Sequence, residues 1–184
     1  MAKAVLISIR PEWCEKIARN EKTVEVRKTR PKLETPFKCH IYCTMDYPYI
    51  SISCGELDKL NYRTNTVGRC NGKVIGEFTC DRIYELAPLN HAPDDVEKQA
   101  CLTREEIVNY LKGTGYGWHI SKLQIYDTPK PLSAFKGLCK IDVGCGECPY
   151  YNYTKMECDG RTIKRPPQSW CYVEEQRWPY VNLL

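Results

Sequence analysis

Short alternating runs of apolar and polar residues set the pattern of this chain. Thr23-Val24-Glu25-Val26-Arg27-Lys28 is the clearest. Val24 and Val26 fall on one face of a strand, and Thr23, Glu25 and Arg27 fall on the other. Lys3–Ile9 reads as a strand before it. Between the two, Pro11 suits the first turn of a helix. Trp13 and Ile17 lie one turn apart, with Cys14 and Ala18 beside them, so the helix runs to about Arg19. Asn20 stands where a left-handed C-cap belongs. Pro31 and Pro36 break the chain before a strand over Phe37–Thr44, and residues 45–71 show no period and read as loop. Gly72–Glu85 is a long strand with Gly76 as a candidate bulge. Residues 86–102 read as loop. Thr103-Arg104-Glu105-Glu106 is a capping box, and Ile107, Tyr110 and Leu111 give the stripe of a helix ending near Gly113. Trp118–Tyr126 is a strand that Pro129 and Pro131 end, residues 136–165 are rich in Cys and Gly, and Ser169–Glu174 is the last strand. Strands outnumber helices, no βαβ rhythm appears and nothing repeats. The fold class is mainly β (α+β), a small and mostly antiparallel barrel with two or so flanking helices.

Composition sharpens this in two places. The chain has 184 residues, which predicts one domain over 1–184 with a Cys-rich insertion at about 139–171. It is 42% hydrophobic and 27% charged, so intrinsic disorder is excluded. A net charge of +4 permits an anionic partner without demanding one. The apolar run Ala4–Ile9 is too short for a signal h-region. No run approaches the roughly 18 residues of a membrane span. The expectation is a soluble, cytoplasmic protein that does not engage membranes. Twelve cysteines are then unusual, because a reducing compartment does not sustain a disulfide framework. Metal binding is the leading explanation for those that cluster.

Cys145-Gly-Glu-Cys148 is a CxxC knuckle, and Cys158 and Cys171 follow it. A knuckle places two thiolates on one turn, and zinc takes four soft ligands in a tetrahedron. The predicted set is Cys145, Cys148, Cys158 and Cys171, with Cys139 as an alternative ligand. Four protein ligands leave no open position, so the zinc is structural. An iron–sulfur cluster is the competing reading. Cys39 and Cys43 share a strand face with Ile41 and read as core, and Cys14, Cys54, Cys70, Cys80 and Cys101 give no signal.

The polar face of the Val24–Val26 strand is the other candidate site. If it looks into a cleft, Glu25 and Arg27 would hold each other and present donors and acceptors to a base edge or a phosphate. Lys22 would bring a point charge to the rim. Trp13, Trp118 and Trp170 are stacking candidates, with His119 beside Trp118. Lys28, Arg30 and Lys32 extend the basic stretch and would suit a phosphate backbone. On the residues alone, a Glu–Arg pair at this spacing is more often a solvated or structural pair.

The stretch SIRPEWCEKIARNEKTVEVRK resembles the start of an ASCH domain, a relative of the PUA RNA-binding barrel. Lys22, Glu25 and Arg27 match the motif G-x-K-x-x-E-x-R, and Asn20 replaces its Gly. Asn is the next-best left-handed residue. GKVIGEFTCDRI, GYGWHISKLQIYDTPKPLSAF and RPPQSWCYVEE also resemble ASCH-type proteins carried on phages and mobile elements, with the cysteine segment as an insertion. The resemblance implies a PUA-like barrel with a cleft over Lys22, Glu25 and Arg27, and recognition of RNA, DNA or a modified nucleoside. One branch of that family hydrolyses 4-acetylcytidine with a Lys matching Lys22, a Thr at the position held here by Glu25, and a later Glu. Glu105 and Glu106 are candidates for the last. Loss of the Thr weakens the same acyl chemistry, although a carboxylate can serve as a general base. Three readings stand: a binding protein, which leads; a small amidohydrolase using Lys22 and Glu25; and a protein-interaction module that docks a protein partner through its zinc loop.

Overall fold

A computed structural model describes residues 2–52, 70–86, 92–139 and 144–175. Its strands are β1 (Lys3–Ile9), β2 (Val24–Arg27), β3 (Phe37–Cys43), β4 (Lys73–Glu85), β5 (Tyr116–Pro131), β6 (Tyr151–Asn152), β7 (Glu157–Cys158) and β8 (Trp170–Glu174). Its α-helices are α1 (Pro11–Ala18), α2 (Val96–Ala100) and α3 (Arg104–Leu111). Six strands form one sheet in the order β2-β5-β4-β3-β1-β8, curled into a half-barrel. Only β1 and β3 pair in parallel within it. β6 and β7 form a separate small hairpin.

β1 is an apolar run because both of its faces are covered. Val5, Ile7 and Ile9 enter the main core with Phe78 and Trp118, while Ala4 and Leu6 pack on the other side with Tyr126 and Phe135. Pro11, Cys14 and Ile17 are the buried stripe of α1, and Asn20 takes a φ of 58° just beyond it. The bulge expected at Gly76 is present: the β4–β5 register shifts between Val74 and Gly76. A Cβ at Gly76 would stand 2.4 Å from the Gln124 carbonyl oxygen, so the glycine lets two backbones approach closely.

Two expectations are corrected. β5 does not end at Tyr126 but continues to Pro131, because Lys73 and Val74 of β4 pair with Pro131 and Lys130. Residues 96–100, read as loop, form α2, where Val96 and Ala100 are buried against β2. The remaining described strand bounds agree to within a residue or two. Cys54 and the rest of 53–69 lie outside the described residues. Among the described residues no helix is long and apolar enough to cross a membrane.

α3 opens as its sequence dictates. The Thr103 backbone N–H donates to Glu106 Oε2 at 2.7 Å, and the Glu106 N–H donates to Thr103 Oγ1 at 3.2 Å. Thr103→Ala removes one of these bonds and should cost about 1 kcal/mol in urea unfolding. An unchanged midpoint would mean that packing of Ile107 and Leu111 alone holds the helix.

Candidate functional site

The sheet order leaves β2 at one edge and β8 at the other. Curling brings these ends together, and side chains join them. Arg27 Nη2 donates to the Ser8 carbonyl at 2.6 Å, and Nη1 donates to Ser169 Oγ at 3.3 Å. Trp170 Nε1 donates to Thr29 Oγ1 at 3.0 Å. Ser8 Oγ donates to the Pro167 carbonyl at 2.6 Å. A seam closed by side chains in this way keeps polar groups beside an opening.

The alternation of β2 separates an apolar face from a charged one, and both faces are buried. Val24 and Val26 pack against Leu86, Val96, Ala100, Ile107 and Leu111, under α2 and α3. The opposite face carries a charged array. Arg27 Nη2 lies 2.9 Å from Glu25 Oε1, and Lys22 Nζ lies 3.5 Å from Glu25 Oε2. All three side chains are buried, at 2%, 6% and 8% residue exposure for Lys22, Glu25 and Arg27. Lys22 Nζ also donates to the Ala100 carbonyl at 2.7 Å, satisfying an acceptor at the end of α2. Arg27 Nε has no hydrogen-bond partner among the described residues. Charges this dry persist only when paired and hydrogen-bonded, so the array holds its own geometry.

The array opens onto a cleft of about 470 Å³. Arg10, Lys22 and Arg27 line it as cations, and Glu25, Asp46 and Glu106 line it as anions, so the formal charges cancel. Ser8 and Gln168 add polar groups, and Trp13 and Tyr110 supply rings. Lys22 Nζ stands 5.1 Å from the centre of the Trp13 ring, and Lys16 Nζ stands 5.6 Å from it. Outside the cleft mouth, Lys28 Nζ sits 5.3 Å over Tyr110, and the Arg30 guanidinium sits 5.7 Å over Tyr116. These are cation–π distances. The hydrogen bonds from Thr103, its backbone N–H first, hold the Glu106 carboxyl below the usual carboxylate range. Glu105 is exposed and does not line the cleft.

The other stacking and polar candidates lie elsewhere. Trp118 is fully buried, its ring edge-on to Phe37 and tilted against Trp170 at 6.0 Å. Trp170 lines a second cavity, on the side of the cysteines. His119 is partly exposed away from the cleft lining, and its Nδ1 lies 2.6 Å from Asp81 Oδ1. Burial raises the Asp81 pKa, but the bond and charge of His119 outweigh it, and the net shift is downward. Ser8, Arg10, Asp46, Tyr110 and Gln168 joined the site without being singled out. Tyr110, which its spacing places in the apolar stripe of α3, is 45% exposed. Asp46 sits in a loop that carries no periodic signal.

Cys39 and Cys43 are core, as their alternation with Ile41 predicts. Burial pushes the Cys14 and Cys39 thiols well up, and it pushes Cys80 up to about 12, so these are inert packing groups. Among the described residues no three His, Cys, Asp or Glu side chains stand together around a common point at metal-binding distance. Cys139, Cys148, Cys158 and Cys171 line one cavity, and Cys145 is exposed outside that lining.

The curled sheet and its flanking helices have the fold of solved ASCH-domain proteins. The architecture matches the solved ASCH protein of Zymomonas mobilis at a TM-score of 0.55 and 18% identity, over 92% of this chain and 86% of that one. A mutant form of the same protein matches at 0.54 and 18% identity, over 92% and 87%. Another mutant form matches at 0.50 and 20% identity, over 71% and 77%. No protein-family model matches the sequence, and no curated protein sequence does either.

Proposed function

We propose that the cleft receives a single base, either of an RNA strand or of a free modified nucleoside. The observation that carries this reading is the buried Lys22–Glu25–Arg27 array opening onto a charge-balanced cleft that also holds Trp13 and Tyr110. A phosphate gains little where three cations meet three anions. A neutral base edge, with donors and acceptors side by side, suits such a wall. The volume of about 470 Å³ lies within the range of small-molecule sites. Phosphates of flanking nucleotides belong on the rim, where Lys28 and Arg30 sit over tyrosine rings.

The test is binding of single-stranded oligonucleotides and modified nucleosides, read by fluorescence and by salt titration. Base–aromatic stacking is worth about 1–3 kcal/mol. Trp13→Ala should therefore weaken both ligand types roughly ten- to hundredfold. Lys28→Gln with Arg30→Gln should leave free nucleosides unaffected and lower the salt slope for oligonucleotides by about 1.4. A parent chain that retains no member of either panel would sink the proposal.

The amidohydrolase reading is favoured by one observation: Glu106 lines the same cleft as Lys22 and Glu25. Release of acetate from 4-acetylcytidine by the parent, lost in Glu106→Gln, would establish it in place of simple binding.

A further inference from the structure

The segment from 144 to 160 has no apolar centre. Among its described side chains only Cys148 and Cys158 are buried, while Tyr150, Tyr153 and Met156 lie exposed. None of its residues joins the three hydrophobic clusters of the described chain. Its regular structure is one turn at Cys145–Glu147, the two-residue strands β6 and β7, and one turn at Asp159–Arg161. A unit this small cannot hold itself together by apolar burial and needs a staple.

The cysteines are placed to provide one. The Tyr151 N–H donates to the Cys148 carbonyl at 3.0 Å, and Tyr151 pairs with Cys158 across the hairpin. Cys148 and Cys158 both line one cavity of about 920 Å³. Cys171 reaches the same cavity from β8, and Cys139 reaches it from the chain that follows β5. Four cysteines from four separate stretches thus line one cavity, although among the described residues no three of them stand at metal-binding distance. Cys148, Cys158 and Cys171 are thiols, in no disulfide.

We infer that Cys139, Cys148, Cys158 and Cys171 bind one zinc ion, which is the structural centre of the cysteine-rich lobe. The ligand set differs from the one the CxxC spacing suggests, because Cys145 stands outside the cavity that the other four line. Neutral thiols attract one another weakly and thiolates repel, so such a set draws to ligand distance only around the ion, and binding and ordering are one event. Zinc suits four sulfur ligands in a tetrahedron with no open position. The site has a structural consequence for the cleft. Cys171 adjoins Trp170, whose indole bonds to Thr29 across the seam. The ion would tie the lobe to β8, one side of the seam that adjoins the cleft.

The experiment uses the full chain, purified under reducing, oxygen-free conditions. Elemental analysis should find about one zinc per chain. Thiol alkylation mapped by mass spectrometry should label Cys145 readily and spare Cys139, Cys148, Cys158 and Cys171. A chelator should then expose all four, and added zinc should protect them again. Cobalt added to the stripped chain should give the visible bands of a tetrahedral thiolate site. Because these readouts use the parent, a variant that fails to fold does not stall the test. Cys145→Ser should keep its zinc, whereas Cys158→Ser should lose it. Four results would each overturn the inference: a chain that takes up neither zinc nor cobalt, labelling that is the same with and without chelator, an iron chromophore in the purified protein, or protection of Cys145 in place of Cys139.

Discussion

Glu25→Ala should destabilise the folded chain by about 3–5 kcal/mol, more than a cleft residue of its size would ordinarily cost. The reason is what the carboxylate leaves behind. Lys22 and Arg27 are both nearly dry, and among the described residues Glu25 is the anion within ion-pair distance of each. Removing it strands two buried cations. Among the described residues, Lys22 would keep the Ala100 carbonyl and the Trp13 ring, and Arg27 would keep the Ser8 carbonyl and Ser169. At about 2–4 °C per kcal/mol for a chain of this size, the melting temperature should fall by roughly 6–20 °C. Glu25→Gln preserves shape and an acceptor, so it should fall between parent and alanine. Base binding should fall in both variants, measured well below their melting points. A melting temperature within a degree or two of the parent would show that water reaches the array and that the seam is held by other bonds.

Trp118→Ala is expected to cost about 3–5 kcal/mol as well, through a different physical route. The indole is wholly buried between Phe37 and Trp170, and its truncation leaves a cavity in the main core that β-sheet backbone cannot relax to fill. Trp118 also pairs with Glu25 across β2 and β5, so the loss will be felt at the cleft floor. Trp118→Phe should be far milder. Trp118 Nε1 is buried without a hydrogen-bond partner among the described residues, so phenylalanine removes an unsatisfied donor along with some volume. Denaturant unfolding checks both. The contrast with Trp13 is informative: Trp13→Ala should chiefly weaken ligand binding, whereas Trp118→Ala should chiefly weaken the fold. A Trp118→Ala protein as stable as its parent would mean that the core is looser than its packing implies.

Much of this molecule is local, and what is local was legible in the residues. A short apolar run placed β1, and alternation placed β2. The capping box opened α3, Asn20 closed α1, and Gly76 marked the bulge. Each of these depends on neighbours within a few positions, where backbone sterics and side-chain caps dominate. Strand geometry aligns Glu25 with Arg27 and leaves Lys22 at the strand's start, but it was the resemblance to the ASCH motif that marked the three as a site.

The rest was decided by packing across the sheet. A period of two separates the faces of a strand, but it does not say which face meets core, cleft or solvent. Trp118 and His119 occupy adjacent positions on β5, yet one is sealed in the core and the other bonds Asp81 at the surface. β5 ran past its prolines because β4 offered it partners far away in sequence. α2 formed from five residues without a stripe because β2 presented an apolar face to cover. Cys139 lines the cysteine cavity and Cys145 does not, although the CxxC spacing favours Cys145, because spacing along the chain does not say which thiols the tertiary fold turns to one cavity. The cleft itself exists because curling brings the two ends of a sheet together at Arg27, a contact between residues 8, 27 and 169 that no short stretch of sequence contains.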